Sequence, residues 1–306
     1  MKKIGFKKRG LLVLAIIVIC LLTITGTLSI IGVVGSNANL RYARSLDEIP
    51  TRNLSLEKDG LGYWTFTNEA DTNFKILQLT DIHIGAGFMT INKDRWALDA
   101  VRTLVEHTKP DLIIVTGDMV YPVPVQAGTN NNRRSTELFG TLMDSFGIPW
   151  TVTYGNHDEE WYAKYDLEDL NKIYSSYKYS LFQSGPEDIY GQCNTFINIK
   201  NADGALNTSL ALIDSNAYEP GLKLNVYDKI HDDQVEWYEE QLFAIKEYYE
   251  LNELMPSLAF FHIPVNEYED AWKLYREGSD QVIYHFGQAG EKNEGIYPPG
   301  YTRQNL

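Results

Sequence analysis

The sequence predicts an α/β fold in which parallel strands are joined by crossover helices, and three observations predict it. From Asn73 onward, short apolar runs alternate with segments whose apolar residues recur at helical spacing. Four of the apolar runs end in chemically active groups: Asp81-Ile82-His83, Gly117-Asp118, Gly155-Asn156-His157-Asp158 and His262. Ligand sites of open α/β sheets lie beyond the carboxyl ends of the strands, so this placement marks a working edge. With 306 residues, 44% hydrophobic and 12% aromatic, the chain can bury a sizeable core as one large domain or two small ones.

The first element is apolar throughout. Lys2, Lys3, Lys7, Lys8 and Arg9 crowd the first ten residues, and residues 11 to 34 carry no charge. As a helix this run is about 36 Å long at 1.5 Å per residue, enough to cross a bilayer core with some tilt. The positive flank predicts a cytoplasmic tail and an exported remainder. A cleaved signal peptide is the competing expectation, since Ser36-Asn37-Ala38 fits a small-x-small cleavage site. Signal h-regions run only about 7 to 15 residues, which favours an uncleaved anchor over residues 1–35.

Residues 36–72 are mostly polar and predict a stalk followed by edge strands, with Tyr63-Trp64-Thr65-Phe66-Thr67 alternating like a strand. The domain proper is expected over residues 73–306. Its first strand ends at Leu79. Trp96, Leu98, Val101, Leu104 and Val105 then mark a helix that Pro110 stops, and Leu112-Ile113-Ile114-Val115 is a buried-type strand. Leu138, Leu142, Met143 and Phe146 mark the next helix, and Trp150-Thr151-Val152-Thr153 the next strand. Beyond these the pattern predicts strands over 195–200, 209–214 and 258–261 and helices over 232–249 and 267–276.

Charge and cysteine content exclude several functions. Setting the five amino-terminal cations apart from the 27 Lys and Arg leaves 22 against 41 Asp and Glu, so the exported part carries about −19. Such a surface repels polyanions and argues against a sequence-independent nucleic-acid binder. Cys20 lies in the apolar run and Cys193 is the only other cysteine, so a thiolate zinc site and a disulfide outside that run are both excluded. The donors at the strand ends are oxygen and imidazole, a mixture that suits Zn, Mn or Fe. A carboxylate bridging two such ions is the arrangement used for in-line displacement at phosphorus.

The motifs DIH, GD and GNHD with a later strand-end His resemble the calcineurin-like metallophosphoesterase superfamily, over roughly residues 73–276 and in the family's order. Leu258-Ala259-Phe260-Phe261 before His262, and Gln234 to Trp237 in the preceding helix, are similar to its purple-acid-phosphatase-like branch. The resemblance implies two mixed β-sheets packed as a sandwich flanked by helices. It implies two divalent or trivalent ions (Mn, Fe or Zn) that activate water against a small phosphorylated substrate, a phosphate mono- or diester. Residue by residue it implies that Asp81 and His83 ligate the first metal, Asp118 bridges both, and Asn156 and His262 ligate the second. His157 is then the non-ligand that contacts phosphate and acts as catalytic acid, with Asp158 a catalytic carboxylate behind it.

Two departures accompany the resemblance. Tyr121, three after Asp118, matches the position of a tyrosinate ligand in true purple acid phosphatases, but His83 already fills that role. The GHxH turn with which the family closes its site is not in the sequence. The expectation is that the carboxyl-terminal part of the domain is missing from this chain. A non-catalytic, membrane-anchored binding protein with a degenerate site is the alternative. Of the other histidines, His107 is expected to support a helix end, His231 to lie in a loop, and His285 to pack among aromatic neighbours; Asn216 is expected near the site as a substrate contact.

Overall fold

The computed structural model describes residues 6–52, 54–68, 73–218 and 227–283. Helix α1 spans Phe6–Arg44, and strands β1 (Ser55–Lys58) and β2 (Trp64–Asn68) follow as an antiparallel hairpin. The alternating part comprises β3 (Ile76–Leu79), α2 (Ile91–Thr108), β4 (Leu112–Thr116), α3 (Asn132–Ser145), β5 (Trp150–Thr153) and α4 (Leu167–Ser175). Strands β6 (Thr195–Asn201) and β7 (Leu206–Leu212), helix α5 (Asp232–Tyr248), strand β8 (Ser257–Phe260) and helix α6 (Asn266–Arg276) complete it.

These elements form two sheets. One has the order β3-β4-β5 and the other β1-β2-β6-β7-β8. The larger is mixed, with β2 parallel to β6, β6 antiparallel to β7 and β7 parallel to β8. In the smaller sheet both pairings among the described residues are parallel. The reason is connectivity: β3, β4 and β5 are each joined by a helix, and a crossover helix returns the chain to the same end of the sheet.

Alternation along the strands sorts side chains into layers. Leu112 and Ile114 of β4 face the larger sheet and meet Phe66, Ile197, Leu210 and Leu212 in the inter-sheet core. Their neighbours Ile113 and Val115 face the other way, into a core with Leu98, Val101, Leu138, Leu142 and Phe146 from α2, α3 and the α3 carboxyl end. On the outer face of the larger sheet, Phe196 and Ala211 meet Trp237 and Ile245 of α5. The result is helix, sheet, sheet, helix. Strand β4 lies at the centre of its sheet and is buried along its whole length, which explains its unbroken apolar sequence.

Helix ends follow local chemistry. Lys109 closes α2 in the left-handed conformation (φ 47°) just before Pro110. The Asn131 side chain accepts from Arg134 N at the start of α3, and Asp166 from Asp169 N at the start of α4. Helix α4 was not expected from the sequence; it is only nine residues long, too short for its period to stand out. Where the sequence predicts a polar stalk from residue 36, α1 continues to Arg44 with Ser36, Asn39 and Ala43 buried. Polar residues there pack against a neighbouring helix and need not be solvent-exposed spacer.

Candidate metal centre

The site begins as a shared distortion of two strands. Just beyond the regular ladder, Asp81 (φ 55°), His83 (φ 57°), Gly117 (φ 82°) and Asp118 (φ 54°) all take left-handed backbone conformations. Pairing nevertheless continues through them: Asp81 N donates to Gly117 O at 3.2 Å, His83 N to Asp118 O at 3.0 Å and Ile84 N to Met119 O at 3.0 Å. A non-glycine residue in this region costs about 1 to 2 kcal/mol, and three of them at one strand end are the kind of local strain that collects at functional sites. The twist turns three side chains that would alternate across the sheet toward one point.

That point is the Asp118 carboxylate, which is 2% exposed. His83 Nε2 lies 3.1 Å from Asp118 Oδ2, His157 Nε2 3.9 Å from the same oxygen, and His262 Nε2 3.5 Å from Oδ1. Asp81 Oδ1 is 3.9 Å from His83 Nε2. Two groups of donor atoms result, His83–Asp118–His157 and Asp81–Asp118–His262, each with its donors within 4.8 Å of one another. Asp118 belongs to both.

Two of the three imidazoles are oriented from behind. His262 Nδ1 donates to Thr116 O at 2.8 Å, which leaves Nε2 facing Asp118. His157 Nδ1 contacts Glu160 Oε1 at 2.6 Å, so its Nε2 also faces inward. The donor set suits a pair of borderline divalent ions: imidazole nitrogens and carboxylate oxygens converge, and the outer nitrogens of His157 and His262 are already held. Burial alone would raise the Asp118 carboxyl, but His262 and His83 hydrogen bonds and the nearby imidazole charges outweigh it and hold the group well below the usual range. Burial works against the imidazolium of His262, yet contact with Asp118 pushes it up to about 9.

Asp158, expected as a carboxylate behind His157, is 1% exposed and turned into the backbone. Its Oδ2 accepts from Asp118 N and Gly155 N, both at 2.8 Å, and its Oδ1 from Val120 N at 3.2 Å. It clamps the β4 and β5 turns together and positions Asp118. Burial and the neighbouring Asp118 charge push Asp158 up to about 7, against the three N–H donors that favour its ionised form.

Asn156 is 4% exposed, and its Nδ2 donates to the Tyr218 hydroxyl at 3.0 Å, which leaves its carbonyl oxygen as the group able to ligate. The Tyr218 hydroxyl in turn donates to Glu160 Oε1 at 3.2 Å, linking Asn156 to the carboxylate behind His157. Tyr121 packs its ring edge-on to His157 (4.5 Å between centroids) and near His83 (5.0 Å). Glycines make the close approach possible: a Cβ on Gly117 would come within 2.5 Å of the His262 ring, and one on Gly155 within 2.5 Å of Asp118 N.

The other sequence candidates lie elsewhere. His231 sits at the start of α5, stacked on Tyr190 at 3.8 Å and bonded to Asp228 at 3.0 Å. Asn216 is spent on Lys229 O and Gln234 Oε1 at 2.7 and 3.0 Å, which takes its amide nitrogen out of any substrate contact. His107 occupies the last turn of α2, and His285 lies outside the described residues. Sequence reasoning missed Glu160, Tyr218 and Asp94. Asp94 accepts from Gly85 N, Ala86 N and Thr90 Oγ1 at 2.9, 3.0 and 3.0 Å and so ties the ligand loop to α2. Only Glu160 had a readable signal, its place three residues after His157.

Comparison with known proteins agrees with this geometry. The family model for calcineurin-like phosphoesterases matches residues 74–290. Probable inactive purple acid phosphatase 28 of Arabidopsis thaliana is 28% identical over 232 residues, covering 66% of this chain and 56% of the relative. Probable inactive purple acid phosphatase 14 of the same plant is 29% identical over 231 residues, covering 65% and 55%. The phosphatase DCR2 of Saccharomyces cerevisiae is 27% identical over 255 residues, covering 76% and 41%. The chain thus spans about half the length of the curated relatives it matches. Among solved structures, a dimetal phosphatase from Danio rerio overlaps 69% of this chain and 79% of its own at 13% identity and a TM-score of 0.40, a likeness too low to carry weight. With the match covering most of the chain and the motif residues gathered around Asp118, this protein belongs to the calcineurin-like phosphoesterase family.

Proposed function

We propose that the protein is a membrane-anchored, extracytoplasmic phosphohydrolase that cleaves phosphate mono- or diesters at a two-metal site. The observation that carries this reading is the Asp118 carboxylate shared between two donor groups, each completed by an inward-facing histidine. Two ions of Mn, Fe or Zn, when bound, neutralise the phosphoryl oxygens and acidify water. Asp81, His83, Asp118, Asn156 and His262 are the residues that would hold them. His157, braced by Glu160, aims Nε2 into the same space and is placed to give a proton to the leaving oxygen. Asp158 keeps the bridging residue in place.

Helix α1 supports the anchor. From Arg9 to Arg44 it is long and apolar enough to cross a membrane, with none of its most apolar window buried in the protein. The basic residues before it set the cytoplasmic side and leave the site outside. A second reading is favoured by the relatives named inactive: a cell-surface binding protein that keeps the fold without turnover. The experiment is hydrolysis of a chromogenic phosphate ester by the metal-loaded full chain and by Asp118→Asn and His157→Ala. Turnover that both substitutions abolish while the fold survives supports the enzyme. A metal-loaded wild type without turnover on mono- and diesters supports the binding protein.

A further inference from the structure

Helix α1 outlasts its apolar run, and its last turns are not free. Gly32, Ser36, Asn39 and Ala43 form a buried stripe at spacings of three and four. A Cβ on Gly32 would come 2.9 Å from Phe88 N, and one on Gly35 would run into the Ile91 side chain. Asn39 Nδ2 donates to Ile91 O at 2.9 Å, and Arg95 Nε donates to Asn39 Oδ1 at 3.1 Å. The Arg95 guanidinium covers the Tyr42 ring at 3.7 Å, and the Tyr42 hydroxyl donates to Asp99 at 2.5 Å. The anchor is bolted to the ligand loop and to α2.

The order of these contacts fixes an orientation. Residues 32, 35, 39 and 42 of α1 meet 88, 91, 95 and 99 in turn, so α1 and α2 run in the same direction. The amino end of α2 therefore points back toward the membrane. Helix α2 is the crossover between the parallel strands β3 and β4 and runs against them, so the strands' carboxyl ends also point to the membrane. Those ends carry the metal ligands.

Depth follows from length. Residues 11 to 34 make about 36 Å of helix against a hydrocarbon core of about 30 Å, so Gly32 lies about 3 Å beyond its outer boundary when the run starts at the inner one. Phe88 touches α1 at that level, and five residues of chain separate it from His83, a reach of at most about 18 Å. The loops after β3, β4 and β5 each carry a large exposed apolar side chain: Met89 (50% exposed), Val125 (80%) and Trp161 (83%). The first two loops are tied together by Met89 N donating to Ala127 O at 3.2 Å.

We infer that the edge bearing the metal ligands is seated on the surface of the bilayer that holds α1, with Met89, Val125 and Trp161 in its interfacial layer. The partner is the boundary between headgroups and acyl chains, where such side chains lose contact with water and tryptophan is favoured. The site then opens at headgroup level. This rests on the reading of α1 as a membrane anchor.

The test uses the full chain with Cys20→Ala, reconstituted in phosphatidylcholine vesicles. Cys193 is fully buried and does not compete for label. Single cysteines at Met89→Cys, Val125→Cys and His107→Cys carry an environment-sensitive nitrobenzoxadiazole dye. His107 is the control, 16 residues and about 24 Å along α2 from Ile91, at the end turned away from the membrane. Blue-shifted emission, quenched by spin-labelled lipid, is expected at 89 and 125 and absent at 107. Water-like emission at all three positions, with the protein still resistant to alkaline carbonate extraction, overturns the inference while leaving the anchor intact. Release by carbonate overturns the anchor, and the inference with it.

Discussion

Replacing Asp158 by alanine separates the two roles a carboxylate in this motif can play. In the folded protein it satisfies three buried donors, Asp118 N, Gly155 N and Val120 N, at 2.8, 2.8 and 3.2 Å. Leaving a buried N–H unpaired costs about 1 to 3 kcal/mol, so three at the lower part of that range amount to about 4 kcal/mol. For a domain of this size each kcal/mol lowers the melting temperature by about 2 to 4 °C, so Asp158→Ala should melt about 8 to 16 °C below wild type. The assay is thermal unfolding of the detergent-solubilised full chain, with chelator and again with Mn, followed by a metal titration. Because the same carboxylate fixes Asp118, metal affinity should fall with stability. A shift under about 3 °C together with complete loss of ester hydrolysis would refute this reasoning and return Asp158 to the chemistry itself.

Three further outcomes are expected. Burial pushes Asp94 up to about 6 in the folded chain from an ordinary value near 4, so its contribution to stability is fully present below about pH 4 and is lost as pH rises through 6. Two units correspond to about 3 kcal/mol, and Asp94→Asn should flatten that part of the denaturation profile, measured by urea unfolding across pH 4 to 7. Gly117→Ala puts a methyl group against His262 at a residue with φ 82°, and should weaken metal binding at least tenfold by calorimetric titration, whereas an unchanged affinity would show that the turn can relax. Glu160→Gln removes the carboxylate that fixes the His157 ring, and steady-state kinetics should show kcat lowered about 10- to 100-fold with KM less affected, the usual cost of losing an orienting partner.

Much of the fold was legible because the signals are local. An unbroken apolar run located β4 and the 3.6-residue period located α2 and α5, and a helix between successive strands required parallel pairing. The convergence of the candidate donors was legible for a related reason: each follows a strand, and a strand's carboxyl end is a place in space as well as in sequence. What escaped was relational. Asp158 reads the same whether it faces a metal or three backbone N–H groups, and only the packing of the β4 and β5 turns turned it inward. Glu160 and Tyr218 are brought together from 58 residues apart, and no pattern in either segment announces it.

The sequence by itself determined the candidate donor residues, their order and an apolar run of membrane-spanning length, because residue type, spacing and hydrophobic length are properties of the chain alone. Only the tertiary structure decided which histidines share Asp118, that α1 continues beyond its apolar run as a docked helix, and that the edge bearing Asp81, His83 and Asp118 points back along it. Those are matters of direction, set by left-handed turns at Asp81, His83 and Asp118 and by a buried stripe on α1 that meets α2 residue for residue. Direction arises when distant segments pack together, and the packing of α1 on α2 is the contact that supplies it here.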